Sequence, residues 1–144
     1  MANDRVFKLL NGFHRSVLSL TGGRLGWKAG GMTVVELTTT GRRSGVARTV
    51  LLTSPTRLAG APVLVASRGG DQRHPDWYLN IEHDPAVLAR IAGAATVSMH
   101  ARIATPAERS ELWPRIVAKY KNYAGYQART SREIPLIILE PPSE

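Results

Sequence analysis

The chain has 144 residues, 43% of them hydrophobic and 21% charged, and a formal net charge of +8. That length supports one domain built on a single core, and not two. Cysteine is absent, which excludes disulfides, thiolate metal sites and a cysteine nucleophile, and no apolar run approaches the roughly 20 residues that span a bilayer.

The first predicted element is a helix over Asp4–Leu20, where Val6, Leu10, Phe13 and Val17 recur at helical spacing and Arg5, Lys8 and Arg15 lie elsewhere. It either packs on the domain or lies, as a basic amphipathic helix, on the inner face of the cell membrane as a peripheral contact. With no signal-peptide core at its start, the chain is expected in the cytoplasm. Residues 1–30 are expected to form this helix and a lead-in, and 31–144 the main domain. Three extended runs follow, Thr33–Thr40, Ala47–Pro55 and Pro62–Ser67, and Pro62–Ala66 is apolar at every position, as in a strand covered on both faces. A short helical block is expected around Trp77, a strand near Ala95–Ile103, a helix beginning at Pro106 with Glu108 in its first turn, and a last strand at Pro135–Leu139. Strands outnumber helices and short turns join them, so the fold class is mainly β with peripheral helices (α+β), a small barrel.

Three stretches carry candidate chemistry. Leu37-Thr-Thr-Thr-Gly41-Arg-Arg-Ser-Gly45 ends a strand in a loop whose glycines can turn N–H groups toward one point. Arg42 and Arg43 add fork-shaped donors and Ser44 a hydroxyl, a set suited to an anion, although exposed arginines on a hairpin would look the same. Charge favours the anion: residues 1–70 carry ten Lys and Arg against Asp4 and Glu36, whereas residues 71–144 carry nine against nine. The second stretch, Ala66-Ser67-Arg68-Gly69-Gly70 followed by His74-Pro-Asp-Trp77-Tyr-Leu-Asn80, offers another glycine turn. On one helical turn, Trp77 could stack on a ring and Asn80 bond its edge; the alternative is Trp77 as a core plug. The third is Tyr120-Lys-Asn-Tyr123-Ala-Gly-Tyr126, three phenols on one helical face, each able to donate to a developing oxyanion or simply to pack.

Other chemistries lack residues. His14, His74, His83 and His100 have no metal-ligand spacing, Ser44 and Ser67 lie in no nucleophile elbow, and neither dinucleotide nor P-loop glycine patterns occur. No carboxylate pair is placed for acid–base work, so catalysis would need a bound cofactor. A basic nucleic-acid-binding barrel lacks RRM, KH or helix-turn-helix signatures, and no nucleic-acid partner is expected.

Taken together, Leu-Thr-Thr-Thr-Gly-Arg-Arg-Ser-Gly, Ala-Ser-Arg-Gly-Gly, His-Pro-Asp-Trp-Tyr-Leu-Asn, Glu108-Arg109 with Trp113, and Tyr126-Gln-Ala-Arg-Thr-Ser-Arg-Glu-Ile-Pro135 resemble the deazaflavin-dependent nitroreductase family. The resemblance runs from about residue 33 to the C-terminus. It implies a split β-barrel of the flavin-binding type and reduced coenzyme F420 as hydride donor to a small-molecule acceptor. That acceptor would be a quinone, a conjugated enone or lactone of coumarin or aflatoxin type, or a nitro compound. By the same resemblance Arg42, Arg43 and Ser44 would hold the cofactor's phosphate and polyglutamate tail. Ala66, Ser67, Arg68 and Gly69 would touch the tail and ring side, Trp77 and Asn80 would frame the deazaflavin, and Tyr120, Tyr123 and Tyr126 would form the substrate and protonation cluster. No metal is implied. Where the family often has Arg-x-x-Pro-Leu-Tyr, this chain has Arg48-Thr-Val-Leu-Leu52-Thr53, which makes the substrate pocket more apolar. The first reading is therefore a hydride-transferring reductase; the second is a non-catalytic binder of an anionic flavin-like cofactor.

Overall fold

The computed structural model describes residues 28–29 and 31–142. The helix expected over Asp4–Leu20, and its membrane contact, lie outside the described residues.

Eight strands form one antiparallel sheet: β1 (Lys28–Ala29), β2 (Met32–Thr40), β3 (Ala47–Ser54), β4 (Thr56–Leu58), β5 (Ala61–Val65), β6 (Ala86–Ile91), β7 (Val97–Ile103) and β8 (Leu136–Glu140). Their spatial order is β3-β2-β6-β7-β8-β5-β4, and β1 shares with β6 the edge of β2 opposite β3: Thr33 pairs Ser54 on one side and Lys28 on the other. The Val- and Thr-rich sequence of β2 suits this central place, because β-branched side chains pack well on a pleated surface. The sheet curls until its ends meet. From Ser54 the chain passes through Pro55 into β4, which pairs β5 at the far end. There the Ser54 hydroxyl accepts the Val63 N–H at 3.1 Å and donates to the Thr56 carbonyl at 2.9 Å. A side chain, rather than a ladder, bridges this corner, which makes the barrel split.

Two cores follow. Inside the barrel, Val35, Leu37, Leu64, Ala89, Ile137 and Leu139 surround Trp77, Tyr78 and Ile81 of helix α1 (Asp76–His83). Outside it, α2 (Pro106–Lys119) and α3 (Asn122–Ala128) lay Leu112, Ile116 and Tyr123 over Val63, Leu136 and Ile138. Strand β8 is thus apolar on both faces, and four of its five residues are buried. Helix α2 starts in a reciprocal cap: Thr105 accepts from the Glu108 N–H and Glu108 accepts from the Thr105 N–H, with Pro106 at the first helical position.

The barrel agrees with the sequence-based expectation, but three strands were not foreseen. β1 is only two residues long, and β4 is the continuation of a run expected to end at Pro55. β6 reads Ala-Val-Leu-Ala-Arg-Ile, rich in residues that favour helix. Its fate is decided by pairing: β2 and β7 flank it on both sides, and Val87 and Ala89 point inward as alternate residues must.

Candidate active site

The loop between β2 and β3 is a self-bonded turn. Gly41 N–H donates to the Val46 carbonyl and Gly45 N–H to the Gly41 carbonyl, both at 2.8 Å, while the Ser44 hydroxyl accepts from Val46 N–H at 3.1 Å. The two glycines serve different needs. Gly45 has φ +71°, whereas a Cβ on Gly41 would sit 2.7 Å from the Ser44 Oγ. Much of the loop's donor capacity is therefore internal, and among the described residues the Arg43 and Ser44 amides are those left open. Arg42 is turned inward: its N–H (3.2 Å) and Nη1 (3.0 Å) both donate to Asn80 Oδ1, and its Nη2 reaches Asp76 at 3.4 Å. Arg43 and Arg48 are exposed, and Arg43 makes no hydrogen bond or ion pair among the described residues.

Trp77 and Asn80 share a face of α1, as their spacing predicts, but that face is turned into the barrel. Trp77 is 7% exposed in the core, and Asn80, 3% exposed, spends its amide on Arg42 and on Thr39, whose Oγ1 accepts Nδ2 at 3.0 Å. Asn80 thereby braces the loop from beneath, while Trp77 fills the core.

The segment after β5 holds three successive residues in the left-handed region, Arg68 (φ 47°), Gly69 (65°) and Gly70 (86°). For Arg68 that backbone is costly, and it persists only where its surroundings impose it. Several contacts impose it here. Arg68 Nη1 meets Asp71 at 2.6 Å, with both side chains largely buried. The Arg73 N–H and, after it, the Arg68 charge hold the Asp71 carboxyl below its usual range despite partial burial. Arg132 donates to the carbonyls of Ala66 (3.2 Å), Ser67 (2.8 Å) and Asp71 (2.9 Å) and meets His74 Nδ1 at 3.1 Å. Burial, then the Arg132 charge, lowers the His74 pKa, so the ring is a neutral acceptor at neutral pH. Arg68 thus already neutralises a carboxylate, and Ala66 is wholly buried.

The tyrosines are brought together, though not by one helix. Helix α2 ends at Lys119, the backbone breaks from helical geometry at Tyr120 (φ −129°, ψ 89°), and α3 begins at Asn122. Across the break the rings pack edge-to-face, Tyr120 on Tyr123 at 6.5 Å and Tyr123 on Tyr126 at 5.8 Å between centroids. Tyr123 is buried, and its hydroxyl donates to Met32 Sδ at 3.5 Å. Burial raises its pKa, a hydrogen bond with Thr53 opposes the rise, and the neighbouring phenols add to it. The hydroxyl is thus a protonated donor throughout the neutral range. Loop and tyrosines also meet: a Cβ on Gly70 would lie 2.7 Å from the Tyr126 carbonyl oxygen and 3.0 Å from its Cα.

Sequence reasoning missed Arg132, Gln72 and Met32. Arg132 lies inside one of the motifs quoted above, yet nothing local shows that a side chain 65 residues after Ser67 in the chain binds its carbonyl.

Residues 13–141 match the model of a family described as F420H(2)-dependent quinone reductase. An F420H(2)-dependent quinone reductase of Mycobacterium tuberculosis is 35% identical over 130 residues, covering 88% of this chain and 86% of its own. A second protein of that organism, described as a putative member of the same activity class, is 38% identical over 79 residues, 55% of this chain and 66% of its own. Among solved structures, an F420-H2 dependent reductase (FDR-A) superposes with TM-score 0.64 at 38% identity, covering 74% of this chain and 93% of its own. Another, described as a domain-swapped dimer, gives 0.67 at 32% identity, covering 92% and 98%. A split barrel of this register, carrying both glycine loops and the tyrosine cluster and matched over nearly its whole length, belongs to the F420H(2)-dependent quinone reductase family, oxidoreductases that use reduced coenzyme F420.

Proposed function

We propose that this chain reduces a quinone, or an enone or lactone with the same electron demand, at a site between the 41–46 loop, the 67–70 loop and the tyrosine cluster. The observation that carries the proposal is the contact of Gly70 with the backbone of Tyr126, which sets the 67–70 loop one ring contact away from the buried, protonated Tyr123 phenol.

The residues present suit a cofactor with a phosphate and several carboxylates. Among the described residues, Arg43 and the exposed Arg48 offer uncommitted charge, and the Arg43 and Ser44 amides offer open N–H donors. Arg42 anchors the loop to α1 through Asn80 and leaves its outer donors near Asp76. Ser67 and Gly69 shape the ring side. Trp77 and Asn80 support the site from the core rather than touching the ring, a change of role from the one implied by resemblance. When bound, the deazaflavin supplies a hydride. The protein's part is to orient the acceptor and to meet the negative charge that forms on its oxygen with the Tyr123 hydroxyl, flanked by Tyr120 and Tyr126. With Thr53 where the family often has a tyrosine, one phenol fewer serves the acceptor side. This favours a quinone or enone over a nitro compound, whose charge is shared by two oxygens and calls for two donors.

Titrating the protein into oxidised deazaflavin should quench its fluorescence, and the reduced form should be consumed when a naphthoquinone is added. Binding without turnover of quinone, enone or nitroimidazole would instead identify a cofactor carrier. Absence of binding would remove the site.

A further inference from the structure

The chain carries a second set of interactions around the 67–70 loop. Residues 66–74 and 127–134 are laced together by side chains. Besides the four partners of Arg132, the Gln72 Oε1 accepts from the Thr130 hydroxyl (2.9 Å), the Ser131 hydroxyl (3.2 Å) and the Ser131 N–H (3.3 Å). The Gln72 Nε2 donates to the Arg129 carbonyl at 3.3 Å. From behind, Gln127 Nε2 donates to the Arg132 carbonyl at 2.8 Å, and Gln127 Oε1 accepts from Ile134 N–H and from Arg109, which lies 4.6 Å over the Trp113 ring. The bonds of Arg132 to Ala66, Ser67 and Asp71 bracket three left-handed residues, Arg68 to Gly70, one of which is an arginine.

From this geometry we propose that Arg132 and Gln72 are positioning residues for the cofactor. They clasp the 67–70 loop onto the segment that follows α3, fix the direction of its backbone, and hold it at a set distance from the tyrosines. The proposal rests on the functional reading above, because it takes the 67–70 loop to be a cofactor-contacting surface. Its physical basis is that a guanidinium donating to three carbonyls at once leaves the loop few alternative shapes. A freed loop would relax from its left-handed run and lose the site's preorganisation. Lysine cannot reproduce this, since its single ammonium carries no planar fork.

The test uses Arg132→Lys and Gln72→Ala, the second at an exposed position where folding is tolerant. Deazaflavin affinity is read by fluorescence quench and steady-state kinetics are measured with a naphthoquinone, well below the melting temperature of each variant. The expected result is a roughly tenfold or greater rise in both Kd and KM for deazaflavin with Arg132→Lys, and a rise of about threefold to tenfold with Gln72→Ala. The KM for the quinone should stay within about twofold in each case. Mere loss of folded protein would lower apparent kcat and leave both KM values alone, and that pattern overturns the proposal. So does wild-type affinity in both folded variants, or in Gln72→Ala should Arg132→Lys not fold. Failure of the wild-type protein itself to bind deazaflavin would instead reject the underlying functional reading.

Discussion

Tyr123 combines two properties that a proton or hydrogen-bond donor needs. Burial keeps its hydroxyl protonated, and among the described residues that hydroxyl donates to a thioether, a weak acceptor that a substrate oxygen would outcompete. Tyr123→Phe should therefore lower kcat by about ten- to a thousandfold, on the order of one oxyanion donor, while deazaflavin affinity stays near wild type. Tyr126→Phe should do less. Wild-type enone turnover in both variants would leave the cluster only a shaping role. Arg43 allows a complementary test. Having no partner among the described residues, it can be removed without loss of stability, and Arg43→Ala should weaken deazaflavin binding about tenfold at low salt and less at high salt. Equal affinities across an ionic-strength series would exclude this residue from the tail site.

Among elements, the join between loops and helices is the sensitive feature. Asn80 ties the arginine loop to α1 and β2 at once, donating to Thr39 and accepting twice from Arg42. Asn80→Leu should destabilise the fold by about 1–3 kcal/mol, because the Thr39 hydroxyl and the Arg42 donors lose a buried partner. Chemical denaturation would show this, and a change below about 0.5 kcal/mol would mean that water replaces the amide without penalty. Gly70 is stricter still. An added Cβ would press on backbone rather than on a flexible side chain, at a φ of +86° that alanine rarely adopts. Gly70→Ala should cost about 1–3 kcal/mol and displace the loop, raising the KM for deazaflavin more than that for the acceptor.

Across the whole molecule, Arg102 of β7 ties the start of α2 to β8. Its Nη1 and Nη2 meet Glu108 at 2.6 and 2.9 Å, and its Nε meets Glu140 of β8 at 2.8 Å. The Arg102 guanidinium, followed by the Thr105 N–H, brings the Glu108 pKa from an ordinary 4.5 down to about 2. A carboxyl whose folded pKa lies below its unfolded one contributes stability that is complete above the unfolded value and lost as pH falls through the folded value. Wild type should then be more stable than Arg102→Leu above pH 4.5, with the difference shrinking between pH 4.5 and about 2. A gap that stays constant over that window would show that Arg102 acts through packing alone. Among the described residues no helix is long and apolar enough to cross a membrane.

Local patterns carried much of this architecture. Thr33–Thr40, the apolar run at Pro62–Ala66 and the helix start at Pro106 with Glu108 in its first turn are legible because β-branched content, full burial and first-turn preferences each leave a short-range signature. The family, too, was legible, since its motifs are contiguous glycine, arginine and tyrosine patterns. What the tertiary structure decided is which donors are spent. Arg42 and Arg43 are neighbours in sequence, yet one is bound to Asn80 and the other is open among the described residues; Arg68 is paired with Asp71; Trp77 faces the core. β6 became a strand only because two others flank it, against the helical preference of its residues. Arg132 acquired its partners only when β8 and α3 brought residue 132 against residues 66–74. A sequence displays the charges and hydroxyls available to a site, but their commitment is settled by contacts tens of residues apart, for which no local spacing exists.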